Sequence, residues 1–106
     1  MHDIKWTQAE KKHARKLFDI GLQRELMAVI SEFKEKAASA TTPEQMWAVS
    51  DYLLRKRREV EEKYDFRYSQ LLVVFGKLLR ENWIEEEELQ HFGAEKIAYV
   101  HHIAVL

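Results

Sequence analysis

Between Ala14 and Ala37 the apolar residues Phe18, Leu22, Leu26, Ile30 and Phe33 follow one another at steps of three or four. That recurrence places side chains along one stripe of an α-helix. Ahead of the run stand Thr7 and, three residues on, Glu10, the pattern of a capping box in which each side chain bonds a free backbone N–H. A first helix is therefore predicted from Thr7 to about Ala38. Gly21 falls inside it and either weakens it by ~1 kcal/mol or lets another backbone come close. Ser39-Ala40-Thr41 reads as a short turn, and Thr42, Pro43 and Gln45 then supply an N-cap, a first-turn proline and a second capping box. Met46, Leu53 and Val60 recur every seven residues, and the apolar rhythm continues through Tyr64, Tyr68, Leu71, Phe75 and Leu78. No proline or glycine interrupts Pro43 to Phe75, which predicts one long second helix, bent near Tyr64-Asp65-Phe66. Asn82 marks a stop. A short helix over Glu85–Phe92 should end at Gly93, and a last one from Ala94 to Ile103 should turn Ile97, Val100 and Ile103 inward.

This pattern contains no strands. It implies a single all-α domain over 1–106, with an elongated stem of two long antiparallel helices (7–64) and a small helical head (65–106). Length adds a further constraint. A first helix of about 31 residues is ~45 Å long, whereas a compact chain of this size is roughly 33 Å across. The stem must overhang, and its apolar stripe stays wet unless a second copy packs on it about a two-fold axis. A homodimer is expected, with Leu26, Ile30 and Phe33 of the first helix and Met46 and Leu53 of the second in the interface.

Composition narrows the function classes. At 46% hydrophobic and 33% charged residues the chain should fold rather than remain disordered. A net charge of −1, from 17 basic and 18 acidic residues, argues against binding nucleic acid by bulk phosphate neutralisation. Without cysteine there is no disulfide, thiolate zinc site or cysteine nucleophile. The N-terminal Met1-His2-Asp3-Ile4-Lys5-Trp6 lacks the apolar run of a signal peptide, and no stretch approaches ~20 apolar residues. A soluble cytoplasmic protein with no membrane contact is expected.

Few residues offer chemistry. His2, His13, His91, His101 and His102 show neither an i,i+4 pair nor HExxH spacing, so no metal is expected. Arg55-Lys56-Arg57-Arg58 is followed at once by Glu59, Glu61 and Glu62. Helical spacing pairs Arg55 with Glu59, and Arg58 with Glu61 and Glu62, on a solvated face. Glu85-Glu86-Glu87-Glu88 suits a helix first turn, where negative charge meets the positive end of the dipole. Trp47 is more informative. Asp51 and Arg57 lie four and ten residues on, steps that predict one shared helix face, lined also by Leu54. An indole beside a carboxylate and a guanidinium is typical of a protein-binding hot spot. The alternative is that Trp47 is core and Asp51 merely pairs with Arg55.

The segment Met46-Trp47-Ala48-Val49-Ser50-Asp51-Tyr52-Leu53-Leu54-Arg55-Lys56-Arg57 resembles the signature of the fluorescence recovery protein family. Glu61-Glu62-Lys63-Tyr64-Asp65-Phe66-Arg67-Tyr68-Ser69 and the region from Phe75 to Leu89 are also similar. The resemblance implies an all-α dimer with a long-helix stem and a helical head. It implies a regulator that holds no pigment, binds the C-terminal domain of the light-activated orange carotenoid protein and speeds its return to the resting form. It also implies a partner-binding surface at Trp47, Ser50, Asp51 and Arg57, where a histidine commonly occupies the place of Ser50. No catalytic residue and no cofactor follow from it. Two other classes compete: a helical adaptor or chaperone-like dimer with a different client, and a small helical enzyme of chorismate mutase type. The enzyme would need Arg15, Arg24 and Lys36 to converge on a dicarboxylate.

Overall fold

A computed structural model describes residues 4–106. The described residues form four α-helices and no strand: α1 (Gln8–Ser39), α2 (Pro43–Lys63), α3 (Leu71–Arg80) and α4 (Ala94–Ala104), with a single 3₁₀ turn at Glu86–Leu89 before α4. His2 lies outside them. Both capping boxes form as the sequence predicts. Thr7 and Glu10 exchange bonds of 2.9 and 3.1 Å at the start of α1, and Thr42 and Gln45 exchange bonds of 3.2 Å at the start of α2. The molecule measures 53 × 25 × 24 Å, with a radius of gyration of 16.6 Å against ~13 Å for a compact chain of 100 residues. The overhang expected from helix length is present.

The apolar stripe of α1 does not face one neighbour throughout. Steps of four residues advance about 400° around a helix, so the stripe precesses by about 40° at each step. Ala14 and Phe18 consequently point into the head and are buried, whereas Leu26 and Ile30 point away and are exposed. The buried core lies in the head. There Leu17 and Phe18 of α1 meet Leu71, Phe75 and Leu78 of α3, Leu89 and Phe92 of the connecting segment, and Val100 of α4. Burial of each such side chain contributes roughly 1.5–3 kcal/mol.

The single long helix expected from Pro43 to Phe75 is divided in two. α2 stops at Lys63, and α3 begins at Leu71. No breaker residue causes the interruption; tertiary contacts do. The Tyr64 hydroxyl donates to the buried Glu25 carboxylate at 2.8 Å. Phe66 meets Phe18 edge-on at 5.0 Å, and Tyr68 packs on Trp6 at 5.5 Å. A continuous helix would spread these aromatic side chains around its axis and leave Glu25 without its partner. Asn82 ends α3 as expected, taking φ 66°. The Trp83 N–H bonds to the Leu78 carbonyl and the Asn82 N–H to that of Leu79, a Schellman motif with asparagine in the left-handed position.

The short helix expected over Glu85–Phe92 shrinks to the 3₁₀ turn. The reason lies at its end, where the Gly93 N–H donates to Glu10 at 2.9 Å and Phe92 turns into the core. α4 then packs so closely on α3 that a side chain at Gly76 would collide with Ile103 and approach the Val100 carbonyl to 3.1 Å. Val100 is fully buried, and Ile97 packs against the core.

Two buried charge clusters tie the head together. Glu10 meets Lys96 at 3.1 Å, and Lys96 reaches on to the Lys5 carbonyl at 2.6 Å. This closes the segment before α1 onto α4. Burial alone would raise the Glu10 carboxyl's pKa, but the Thr7 and Gly93 N–H donors and Lys96 outweigh that and hold it at about 2. At the junction of head and stem, Lys63 donates to Glu25 at 2.8 Å and also pairs with Glu81. The end of α2 is thereby pinned to both α1 and the end of α3.

Candidate functional site

α2 contributes a single buried side chain, Tyr52. Its ring lies 4.9 Å from the Lys36 ammonium and 5.8 Å from the Arg55 guanidinium, cation–π contacts from both stem helices. Burial and the neighbouring Glu32 push its hydroxyl up to about 12. Tyr52 fixes the rotation of α2 against α1, and with it which residues face outward.

On one flank of that contact the two helices leave an apolar groove. A cavity of about 600 Å³ at the stem tip is lined by Phe33, Ala37, Met46, Ser50 and Leu53 among others. A second of about 360 Å³, sharing Leu53, continues toward the head past Leu22, Leu26, Val60 and Arg57. Four of the residues expected in a dimer interface, Leu26, Phe33, Met46 and Leu53, line this groove; Ile30 is exposed beside it. Met46 is 52% exposed in the single chain.

The opposite flank carries Trp47, 63% exposed. It is not core, and Asp51 does not pair with Arg55, which reaches Glu59 at 4.0 Å. The four residues expected in a partner-binding surface divide between the two flanks. At about 100° per residue, Asp51 lies about 40° from Trp47, but Ser50 and Arg57 lie about 60° and 80° away on the other side. Accordingly Ser50 lines the tip cavity and Arg57 the second. Arg57 also pairs with Glu61 at 2.8 Å, and among the described residues Arg58 forms neither of the ion pairs expected of it, with Glu61 or with Glu62. Ten residues do not return a helix to the same face. Leu54, 57% exposed, and Arg58 hold the register with Trp47 instead. That arithmetic was available from spacing alone.

The remaining charged candidates are engaged separately. Arg15 stacks over Phe66 at 4.2 Å and pairs with Asp19. Arg24 bonds to Glu88 at 2.7 Å and to the Trp83 carbonyl at 3.0 Å. Lys36 reaches Glu32 at 3.8 Å. These three cations have separate partners and do not converge on one cavity, as a chorismate mutase site would require. His13 bonds to the Glu88 carbonyl at 2.7 Å and His101 to Glu86 at 2.7 Å. No group of three or more His, Asp or Glu among the described residues is gathered to hold a metal.

A sequence profile described as photoprotection regulator fluorescence recovery protein matches residues 6–104. The chain belongs to the fluorescence recovery protein family. It is 36% identical over 101 residues to the fluorescence recovery protein of Synechocystis sp. PCC 6803, covering 95% of this chain and 93% of that protein. The solved structure of the Synechocystis fluorescence recovery protein superposes with a TM-score of 0.92 at 35% identity, over 96% of this chain and all of that one. That of the Fremyella diplosiphon fluorescence recovery protein does so with the same score and coverage at 27% identity. Fluorescence recovery proteins are regulators of photoprotection, not enzymes, and such a regulator acts on a protein partner. Among the described residues no helix is long and apolar enough to cross a membrane.

Proposed function

We propose that this member of the family works as a homodimer that binds the C-terminal domain of the light-activated orange carotenoid protein and accelerates its return to the resting form. The observation that carries the reading is the solvent-facing indole of Trp47, 63% exposed on a helix face that also presents Asp51. An exposed tryptophan is costly to leave in water and is the side chain most enriched at binding hot spots. The groove on the other flank takes the second copy, which covers Leu26, Phe33, Met46 and Leu53. Ser50 and Arg57 line that groove. In this reading the departure from the family's usual histidine at Ser50 bears on the contact between copies.

No bond need be made or broken. A regulator that binds an intermediate between two conformers of its client more tightly than the active conformer lowers the barrier between them by that difference. A preference of 1.4 kcal/mol is about tenfold in rate.

The test is the dark recovery of photoactivated orange carotenoid protein, followed by absorbance with and without the full chain. Wild-type protein is expected to speed recovery, and Trp47→Ala to lose most of that effect while still sedimenting as a dimer. Recovery at the unassisted rate with wild-type protein sinks the reading. Met46→Glu is expected to yield monomers by sedimentation; a dimer unchanged by that charge would place the contact between copies elsewhere.

A further inference from the structure

We propose that Ile4, Lys5 and Trp6 form a strap that opens and closes over an aromatic corner of the head while the rest of the head stays folded, with Lys96 as its latch. The device lies in the head and does not depend on the reading above.

The strap precedes the Thr7 cap and belongs to no helix. Among the described residues its backbone is held by one hydrogen bond, from the Lys96 ammonium to the Lys5 carbonyl at 2.6 Å. A helix residue is tied to its neighbours by a ladder of main-chain bonds. This segment has no ladder, so lifting it breaks little.

Apolar contact closes it. Ile4 and Trp6 pack against the core. The indole meets Tyr68 at 5.5 Å and Phe92, which is buried, edge-on at 5.9 Å. The Lys96 ammonium lies 5.2 Å from the indole centroid, a cation–π contact. One lysine, itself buried, thus grips the strap by both carbonyl and ring.

One group works against closure. The Trp6 Nε1–H is shut off from solvent and has no acceptor. A buried donor without a partner forfeits its bond to water, and that bond is regained each time the strap lifts. Lifting does not dismantle what lies below. Glu10 keeps Lys96 at 3.1 Å and the N–H donors of Thr7 and Gly93, all outside the strap. Phe92 keeps its stack on Phe75 at 5.5 Å. The segment is therefore closed by packing, opposed by an orphaned donor and separable from the core. Opening wets the outer edge of Phe92 and leaves Lys96 to Glu10.

The test is hydrogen exchange of the indole N–H groups in the full chain, read by NMR, with the Trp6 resonance identified by its loss in Trp6→Phe. Trp6 is expected to exchange about tenfold or more slowly than the exposed Trp47, at a rate that low denaturant leaves unchanged, because a local opening uncovers little surface. Core amides of α3 and α4 should be better protected and should accelerate with denaturant. Ile4→Ala, which removes part of the strap's packing, and Lys96→Met, which removes the latch, should each speed Trp6 exchange several-fold while those amides keep their wild-type rates. Ile4→Ala leaves the pair of Glu10 and Lys96 intact and carries the test if Lys96→Met fails to fold. A Trp6 indole that exchanges as fast as Trp47 would mean that no closed strap exists. One that follows the core amides and accelerates with denaturant would mean that nothing opens short of unfolding. Either result overturns the proposal, as does an Ile4→Ala protein in which Trp6 exchanges at the wild-type rate or the core amides loosen in step with it.

Discussion

The head and the outer stem are built from the same residue types and the same helix geometry, yet they solve opposite problems. In the head, α1, α3 and α4 enclose a core in which Phe75, Leu71, Leu78, Leu89 and Val100 are sealed from water, and two buried carboxylates, Glu10 and Glu25, have lysine partners. From Leu26 to Lys63 only Tyr52 is buried. Helices in water draw most of their stability from packing an apolar face rather than from propensity. The head therefore carries its own stability, whereas the outer stem holds its apolar face in reserve. The lesson is one of division of labour: a small fold can place its whole core at one end and extend a scaffold whose apolar surfaces stay open to solvent within the single chain.

The largest effect expected from this contrast comes from paired truncations. Phe75→Ala, which removes a ring with no exposure, should cost about 3–5 kcal/mol of unfolding free energy in denaturant titrations. Leu26→Ala should cost far less within one chain and show mainly as weaker self-association on dilution. Equal losses in both variants would mean that the stem carries as much intrachain stability as the head.

Next in size is Gly76→Ala. The added methyl would meet Ile103 where α3 and α4 touch, and such overpacking typically costs 1–3 kcal/mol. The melting temperature should fall while recognition by Trp47 on the stem is unchanged.

Acid sharpens the comparison differently. Glu10 titrates at about 2 in the folded head against 4.5 ordinarily, so its contribution is full above the ordinary value and is lost as pH falls from about 4.5 toward 2. Denaturant midpoints followed over that range should drop in wild type and flatten in Glu10→Gln. An unchanged slope in the variant would assign the acid sensitivity to other carboxylates. The smallest effect is expected of Thr42→Ala, which removes the cap of α2 at ~1 kcal/mol or less. Its expected signature is faster amide exchange near the stem tip, with none in the head.

What the sequence disclosed follows from how local each signal is. Both capping boxes, the proline at the start of α2 and the stop at Asn82 depend on residues within a few positions of one another, and all were readable. The gap between α2 and α3 was not, because nothing in Tyr64–Gln70 forbids a helix. It exists because Tyr64 finds Glu25 and Phe66 finds Phe18, partners some 40 residues away. The pairing of Glu10 with Lys96 was equally hidden, since a capping glutamate and a helix lysine each look solvated alone. The site was half legible. Trp47 and Asp51 do share an exposed face, but ten residues are not a whole number of turns, and Arg57 lies about 80° from Trp47, along the groove.

One uninterrupted rod, α1, belongs to both halves, with no hinge between Gln8 and Ser39. Its angular phase is set twice, by the head core around Phe18 and by the Lys63 anchor on Glu25. A one-residue insertion beyond Glu25 would turn everything distal by about 100° and swing the groove wall out of line with α2, whereas seven inserted residues would restore the phase to within about 20°. The stem should thus tolerate lengthening only in steps near whole turns, such as about seven, eleven or eighteen residues, matched in both helices, and the head's orientation is transmitted to the far tip as by a crankshaft.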